Sequence, residues 1–543
     1  MTTIKKISKF AIPVFFLIVI SGCTKLDEDL NSSLTSAQAA SSLGAAGTGL
    51  LLQAAYADLA VPFHDHPRIF SLQQVSTDEA VVPTRGGDWD DNGAWRVIHA
   101  HTWNPDHEHI REVFNLLNKL NFDATNVLAF NPTLAQSAEA KFLRAFSLYY
   151  LLDLYGQYPF RNPGDNLLNA PEVKSGAAAI DFIISELTAA LPNIPAANPI
   201  TRATPDAVRV LLMKCYLQKG TFVNRAAPSF AAADMQQVIT LGNAIINSGK
   251  YSYTPNYFDN FSVDNDTKSR EGIFTYLNTS GVPTNNGNIA SRWMMTSHYN
   301  MYTPNNPNAG WNGFSTLSDF YSSFNVNGPV TFTPADTLLD QRLGGRYYQG
   351  ATNISGLRPG FLVGQQFNEA GVALKDRKNA PLAFTTQIAA NMIETGANLE
   401  VTGIRVVKYP PDYSNYTGPA GNDLMIYRYP DVVLMVAEAK LRTGDAPGAL
   451  VLVNQIRAAR GAVPVATLPL VNPNNVADPN TLLAERGREL YWDMFRRTDL
   501  LRFGVFLKPW QYKTSADPRN LVYPVPAQAL AANPNLKQNT GYN

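Results

Sequence analysis

Hydrophobic side chains recur with helical spacing over most of the first half of the chain and again near its end. The clearest case lies between residues 138 and 155. The apolar positions there that share one helical face are Phe142, Ala145, Phe146, Tyr149 and Leu152. Gly156 and Pro159 follow at once, and both residue types end helices. This segment is therefore predicted to be a helix with one buried face.

The same spacing predicts further helices. They cover residues 39–59, 181–191, 205–218, 234–247, 429–442, 446–460 and 481–495. Thr204 followed by Pro205 is a typical helix start, because threonine caps a free N–H and proline fits the first turn. The two helices joined by Gly444 and Asp445 form a hairpin of about 34 residues, the length of one tetratricopeptide unit.

Residues 251–421 have a different pattern. They are dense in Asn, Gly, Pro, Thr and Tyr, and they contain only short regular runs. A long irregular stretch inside a compact chain is uncommon and usually has a function. We therefore predict a mainly α fold. Helix pairs over about 43–250 and 422–543 form a scaffold, and a loop-rich excursion over about 251–421 packs on it within one structural unit.

The first residues resemble a bacterial lipoprotein signal. Lys5, Lys6 and Lys9 precede a short apolar run that ends at Ser21-Gly22-Cys23. This run is about half the ~20 residues that span a bilayer, so residues 1–22 are predicted to be a signal peptide. Small residues before a cysteine match the lipobox, which predicts lipidation, palmitate included, at Cys23. Residues 23–42 would then form a polar tether. The alternative is an ordinary secretory signal with an incidental cysteine.

Composition narrows the function further. The 543 residues are 45% hydrophobic, and 44 basic side chains balance 44 acidic ones. This apolar fraction excludes wholesale disorder, and the absence of a basic excess argues against a nucleic-acid partner. The 2 cysteines cannot build a disulfide framework.

Four segments, taken in order, resemble one known family. They are residues 138–160 (AEAKFLRAFSLYYLLDLYGQYPF), 427–461 (YRYPDVVLMVAEAKLRTGDAPGALVLVNQIRAARG), 483–504 (LAERGRELYWDMFRRTDLLRFG) and 523–542 (YPVPAQALAANPNLKQNTGY). Together with the lipobox at Cys23, they are similar to motifs of the SusD/RagB family, the surface lipoproteins of Bacteroidetes glycan-uptake systems. The last segment departs from the family pattern at Thr540, where proline is usual.

The resemblance implies a scaffold with tetratricopeptide-like helix pairs in a protein anchored to the cell outer membrane. It also implies a partner, a SusC-like TonB-dependent transporter, and a nutrient ligand that is usually a glycan. The matching motifs lie mostly in the scaffold, so they leave the identity of the ligand open.

A sugar-binding surface needs aromatic faces for the apolar side of the ring and polar groups for the hydroxyls. The segment from residue 78 to residue 103 offers both in a glycine-rich loop, with Arg85, Asp88, Trp89 and Trp95 as candidates. Polar loops of this kind often carry function. The alternative is that the two indoles pin the loop to the scaffold.

A second candidate segment runs from residue 292 to residue 314, inside the excursion, where the family resemblance places its glycan site. Its candidate ligand-binding residues are Trp293, Tyr299, Trp311 and Asn312. Arg377 and Tyr413 are further candidates in polar loops. Local packing of a large loop is the competing explanation for each aromatic residue.

No cofactor and no metal are predicted. Six of the seven histidines lie between His64 and His109, but no HExxH motif accompanies them. Catalysis is not predicted either, since Glu438, Glu485 and Glu489 have arginine neighbours and are expected to pair within the scaffold. The leading hypothesis is a glycan-binding surface lipoprotein. The alternatives are a binder of peptide or other non-glycan nutrient, a mainly structural lid, and a surface glycosidase, which would need two facing carboxylates.

Overall fold

The computed structural model of the protein describes residues 36–283, 289–301, 310–324, 340–344, 358–368, 370–514 and 516–542, with side chains from Gly44 onward. The predicted signal peptide, Cys23 and most of the predicted tether lie outside these residues. The first helix already begins at Ser36, so residues 36–42 are helical and the predicted end of the tether is too late.

Helices dominate the described chain, as the sequence pattern predicts. They are α1 (Ser36–Ala57), α2 (Ala60–His64), α3 (Ala94–Ala100), α4 (Glu108–Ala129), α5 (Leu134–Tyr155), α6 (Gly176–Ala190), α7 (Pro205–Val223), α8 (Ala232–Ile246), α9 (Asn265–Lys268), α10 (Ser291–Met294), α11 (Ser318–Ser322), α12 (Tyr429–Arg442), α13 (Ala446–Ala459), α14 (Leu482–Leu490), α15 (Arg496–Arg502) and α16 (Ala527–Ala532). A π-helical segment, His66–Val75, follows α2.

The strands are short and lie mostly in the loop-rich excursion. They are β1 (Thr84–Arg85), β2 (Gln157–Phe160), β3 (Glu172–Ser175), β4 (Gly272–Tyr276), β5 (Gly360–Leu362), β6 (Gly364–Gln365), β7 (Ala383–Phe384), β8 (Ile393–Glu394), β9 (Arg405–Val407) and β10 (Leu424–Arg428). Each described strand has a single partner: β1 pairs with β8 in parallel, and β2–β3, β4–β10, β5–β9 and β6–β7 are antiparallel.

The long helices form a continuous layer. Along it α1 packs on α4, α4 on α5, α5 on α6, α6 on α7, α7 on α8, α8 on α12 and α12 on α13. Gly242 permits the close approach of α8 to α12, because a Cβ there would lie 2.2 Å from Cγ2 of Val436. None of the helices among the described residues is both long and apolar enough to cross a membrane.

Helix ends follow the capping chemistry. Thr204 caps α7 by accepting a hydrogen bond from the N–H of Ala207, as predicted. Helix α5 starts earlier than predicted, because Thr133 and Gln136 form a capping box that the pattern of apolar positions does not reveal. The helix predicted over 481–495 is confirmed over Leu482–Leu490, but its predicted end is wrong: α14 ends at Leu490, and Trp492 has a φ of 59°.

Buried ion pairs join the excursion to the scaffold. Glu489 on α14 accepts hydrogen bonds from Arg460, which follows α13 directly (2.8 Å), and from Arg428 of β10 (3.1 Å). The same two arginines donate to Glu271 at 2.7 and 2.9 Å, beside β4. All four side chains are 2% exposed or less. We call Glu271, Arg428, Arg460 and Glu489 the buried ion network.

Neighbouring charges extend this arrangement. Glu485 pairs with Arg342, which belongs to the excursion, and with Arg457 and Arg488 of the scaffold. Glu438 pairs with Arg442 and Arg502. The prediction that Glu438, Glu485 and Glu489 pair within the scaffold is confirmed. It is incomplete for Glu485, which also pairs with Arg342 of the excursion.

Replacing Glu489 with Gln is expected to destabilise the fold by about 3–5 kcal/mol, because it leaves buried guanidinium charge without its partner. Asp517→Asn is the control, since Asp517 pairs with Arg519 at the surface, with side chains 45% and 39% exposed. That change is expected to cost about 1 kcal/mol or less. Urea unfolding of both variants measures the difference, and equal losses would contradict the role given to the buried ion network.

The free energy of unfolding is expected to fall at acid pH as Glu489 becomes protonated. Burial opposes the charge on Glu489, but Arg460 and Arg428 hold its pKa at about 2. The ordinary glutamate pKa is about 4.3, so the stabilisation is complete above that pH and is lost as the pH falls toward 2. Urea midpoints measured from pH 6 to pH 2 should fall steadily for the natural chain and less steeply for Glu489→Gln. Parallel slopes would refute this assignment.

Candidate ligand-binding surface

A tight turn places Trp89 at the surface. Arg85 and Asp88 exchange backbone hydrogen bonds of 2.9 and 3.2 Å across Gly86 and Gly87. Gly86 has a φ of 70°, a conformation that glycine adopts without strain. Trp89 itself has a φ of 59°, which is uncommon for a large residue. The indole of Trp89 is therefore placed at the surface at the cost of an unfavourable backbone conformation. Such strained conformations are common in functional loops.

The second predicted segment meets the first at this indole. The indole N–H of Trp89 donates to the carbonyl oxygen of Trp311 at 2.6 Å. The two ring centroids lie 6.5 Å apart, and both rings are partly exposed. The backbone at Gly313 lies directly against the Trp89 ring, because a Cβ at this position would be 2.2 Å from the ring. Glycine is thus required for the backbone to run beneath this indole.

Other rings support the two indoles from below. His66 lies 5.6 Å from Trp89 and 5.4 Å from Trp311, and it stacks on Trp95 with an angle of 15° between the planes. Phe314 is fully buried and contacts the rings of Trp89 and Trp95 at 5.4 and 5.1 Å. We call Trp89 and Trp311, with His66 between them, the aromatic platform.

Polar groups lie beside the platform. Asp88 is exposed, and its carboxylate accepts a hydrogen bond from the hydroxyl of Tyr299. The guanidinium of Arg377 lies over the Tyr299 ring, 3.9 Å from its centroid, and 4.0 Å from the Asp88 carboxylate. The Arg377 side chain is 47% exposed. These three residues form a polar rim that combines hydrogen-bond donors and acceptors at the surface.

A buried acid holds this rim in place. Glu400 accepts a hydrogen bond from Nε of Arg377 at 2.7 Å and another from His298 at 2.8 Å. Burial lowers the pKa of His298 to about 4, so its ring is neutral at neutral pH. Its Nδ1 accepts the N–H of Asn300, and its proton is therefore on Nε2, facing Glu400. Glu400 is committed to these partners.

The scaffold sets the position of both segments. Arg496 of α15 donates twice to Asp78, at 2.7 and 2.6 Å, which fixes the chain that leads into the turn. Three residues later, Val81 and Ser315 exchange backbone hydrogen bonds of 2.9 Å. The loops that carry Trp89 and Trp311 are consequently aligned by an ion pair and a backbone bridge inside the protein.

Four predicted ligand-binding residues lie inside the protein instead of at the surface. Arg85, Trp95, Trp293 and Asn312 are each 2% exposed or less, which disagrees with direct ligand contact. Each of them has a hydrogen-bond partner inside the protein. Arg85 donates to Thr402, Trp95 to Asp91, and Trp293 to the carbonyl oxygen of Tyr416, while Asn312 accepts from Arg405. They act as supports of the surface.

Burial has a clear electrostatic consequence for one of these supports. It lowers the pKa of Arg85 to about 10, and the guanidinium remains charged at neutral pH. It is accommodated by the carbonyl and hydroxyl oxygens of Thr402 at 2.8 and 2.9 Å. Arg85 thereby ties the turn before Trp89 to the loop around residue 402.

Tyr413 is partly exposed and lies against Tyr416, with 6.5 Å between the ring centroids. The described contacts do not bring it into the platform or the rim. Conversely, the sequence reasoning did not select His66 or Glu400 for the site. The signal for His66 was its place among six clustered histidines, but its neighbours come from segments far along the chain.

Metal-binding chemistry finds no support in the described part of the chain. No group of three or more His, Cys, Asp or Glu side chains there is arranged to hold an ion. Most of the clustered histidines serve packing. His99, for example, is buried and has hydrogen-bonding contacts with the carbonyl oxygens of Val75, Ala80 and Gln511.

The fold and the surface define a class of protein: a layer of paired helices that carries an open aromatic platform on its loops. Comparison with known proteins then specifies the family. A family model described as the SusD family matches residues 270–542. The starch-binding protein SusD of Bacteroides thetaiotaomicron is 26% identical over 503 residues, or 87% of this chain and 85% of that protein.

Solved structures agree. A SusD-like protein from Bacteroides fragilis has a TM-score of 0.67 and 20% identity, covering 92% of this chain and 97% of that one. Surface glycan-binding protein A from Bacteroides thetaiotaomicron, solved with laminarihexaose, has a TM-score of 0.60 and 17% identity, covering 91% of this chain and 98% of that one. The chain belongs to the SusD family.

Gly313→Ala is expected to displace the Trp89 ring and to destabilise the protein by about 1–3 kcal/mol, because the new methyl group overlaps the indole. Gly87→Ala is the matched control: a Cβ there meets no atom within 4 Å. Its cost is expected to stay within about 0.5 kcal/mol. Thermal unfolding measures both effects, and acrylamide quenching reports the exposure of the indoles. Unchanged quenching in Gly313→Ala would contradict the described packing.

Proposed function

We propose that this protein is a cell-surface glycan-binding lipoprotein that delivers its ligand to a SusC-like TonB-dependent transporter. The observation that carries the proposal is the aromatic platform with its polar rim. Trp89 and Trp311 present partly exposed rings side by side, and Asp88, Tyr299 and Arg377 lie next to them. This arrangement matches the two needs of a sugar: an apolar face to cover and hydroxyl groups to bond.

The platform is also pre-organised. Each indole is held by hydrogen bonds, ring contacts or a glycine turn, so little side-chain freedom remains to be lost when a ligand binds. The rim is held in a similar way by Glu400 behind Arg377. A rigid surface of this kind suits repeated capture and release of an extended chain.

The proposed location rests on the sequence and on family membership. The lipobox at Cys23 provides the anchor, and palmitate on that cysteine holds the protein at the outer membrane, facing outward. The relatives support the ligand class: one is named as starch-binding, and another was solved with laminarihexaose. A SusC-like transporter as partner is the family's expected arrangement.

Binding without catalysis is part of the proposal. Glycoside hydrolysis needs two carboxylates that flank the scissile bond. Beside the platform, Glu400 is occupied by Arg377 and His298, and Asp88 accepts the Tyr299 hydroxyl. Incubation with a panel of polysaccharides should therefore release no reducing ends, and reducing ends that appear with the natural chain but not with Asp88→Asn would favour the glycosidase.

Trp311→Ala is expected to weaken glycan affinity at least about tenfold, since it removes one of the two exposed rings. Arg377→Ala should weaken it less, because the rim loses one hydrogen-bonding group at an exposed position. Isothermal titration against a panel of neutral glycans, with a peptide panel beside it, measures both. Trp510→Ala is the matched control, a partly exposed tryptophan outside the platform.

Each result has a defined meaning. Loss of glycan binding in Trp311→Ala with retention in Trp510→Ala supports the platform as the site. Equal affinities in the two variants would remove the platform from the proposal. Saturable binding of peptides alone would replace the glycan with the peptide alternative.

A further inference from the structure

A sizeable cavity among the described residues lies away from the platform. It is a groove of about 570 Å³ along α4, closed on its other sides by the loop after β2 and by α16 with the residues that follow it. A volume of this size lies in the range of small-molecule and oligosaccharide sites. Residues from 115 to 126 of α4 line its length, which corresponds to about 16 Å along the helix.

The groove also combines aromatic rings with polar groups, but these are phenylalanines and amides. Phe122 and Phe130 contribute aromatic surface from α4 and its end, whereas Phe114, which also lines the groove, is only 4% exposed. Phe122 is 41% exposed, so its ring can be reached from the groove. Asn115, Asn126 and Gln528 add amides to the lining.

These amides are available to a ligand. The side chains of Asn115, Asn126 and Gln528 make no hydrogen bond to another described residue, whereas Asn118 donates to the carbonyl oxygen of Phe114 and Asn121 to that of Pro159. Each free amide offers two donors and one acceptor oxygen. A row of such groups beside aromatic rings can bond several hydroxyls at once.

The lining of the groove carries no net formal charge. Arg161 and Asp165 are the charged side chains in its lining, and both have internal partners. Arg161 donates to the carbonyl oxygens of Asn166 and Asn169, and Asp165 accepts the N–H of Asn162 at 2.7 Å. One positive and one negative side chain cancel formally, and the rest of the lining is uncharged, so the groove suits a ligand without net charge.

We propose that this groove is a second carbohydrate-binding site, which takes a neutral oligosaccharide; the proposal rests on the proposed function for the ligand class but not for the residues. The rings of Phe122 and its neighbours cover the apolar side of the sugar, and the free amides bond its hydroxyls. Two sites on one molecule would hold a polysaccharide more tightly than either site alone, through the high effective concentration of the second.

The test measures oligosaccharide binding to the groove in a variant whose platform is weakened, and binding to the platform in a variant whose groove is weakened. The probes are maltohexaose, laminarihexaose and cellohexaose, with an uncharged hexapeptide of alanine, asparagine and serine as the competing class. Isothermal titration of the natural chain is expected to show two binding sites for at least one hexasaccharide. Trp311→Ala should retain the groove site, and adding Phe122→Ala should weaken that remaining site about tenfold.

Two further variants keep the test independent of folding. Gln528→Ala changes an exposed lining residue and should weaken the same site. Val463→Ala is the matched control, an apolar side chain that is 48% exposed outside the groove, and it should leave both sites unchanged. Circular dichroism confirms that each variant is folded.

The outcomes separate the two proposals. A single site that Trp311→Ala removes and Phe122→Ala leaves intact overturns the groove site and keeps the platform. A single site that Phe122→Ala removes and Trp311→Ala leaves intact supports the groove site and overturns the platform as a binding site. Binding of the hexapeptide in the groove without any hexasaccharide overturns the carbohydrate assignment of the groove. Failure of all three sugars to bind the natural chain overturns the groove site, while the broader glycan panel tests the platform separately.

Discussion

Shared carboxylates in the buried ion network hold this fold together across large distances in sequence. Glu271 and Glu489 each pair with both Arg428 and Arg460. One segment of the excursion therefore meets β10, the end of α13 and α14 of the scaffold at one point. A pair of buried charges gains little net stability relative to an apolar core, but breaking one is costly. Such a network therefore favours one arrangement of the excursion over any other, and the binding surface depends on that choice.

The link from the network to the surface can be followed residue by residue. Helix α14 carries Glu489, and α15, just beyond it, carries Arg496, which binds Asp78. From Asp78 the chain runs through the bridge between Val81 and Ser315 to the turn that presents Trp89. A platform built from loops can be rigid because internal charges and backbone bonds fix the ends of those loops.

Much of the helical scaffold could be predicted from the sequence, because amphipathic spacing and capping residues act locally. Helix α12 spans the predicted residues 429–442, and Gly156 ends α5 as expected. The break after Leu490 could not be predicted, since its partner is Glu79: the backbone N–H and the indole N–H of Trp492 both bond that residue. Long-range contacts of this kind leave no local pattern.

The candidate site, too, could be predicted only in part. Residue types predicted that Trp89, Trp311, Asp88, Tyr299 and Arg377 belong to a binding surface, and the structure brings these five together. Trp293 and Trp95 have the same chemistry in sequence, yet their rings are buried, because exposure depends on contacts with Tyr416 and with His66. Composition identifies residues able to bind a sugar, and tertiary packing decides which of them can reach one.

A crystal structure of the protein with a saturating neutral oligosaccharide that it binds tests the central claim most directly. The account predicts a sugar ring in van der Waals contact with the indoles of Trp89 and Trp311, and a hydroxyl bonded to Asp88 or Arg377. Clear density for the sugar elsewhere, with both indoles of the platform uncovered, would contradict it.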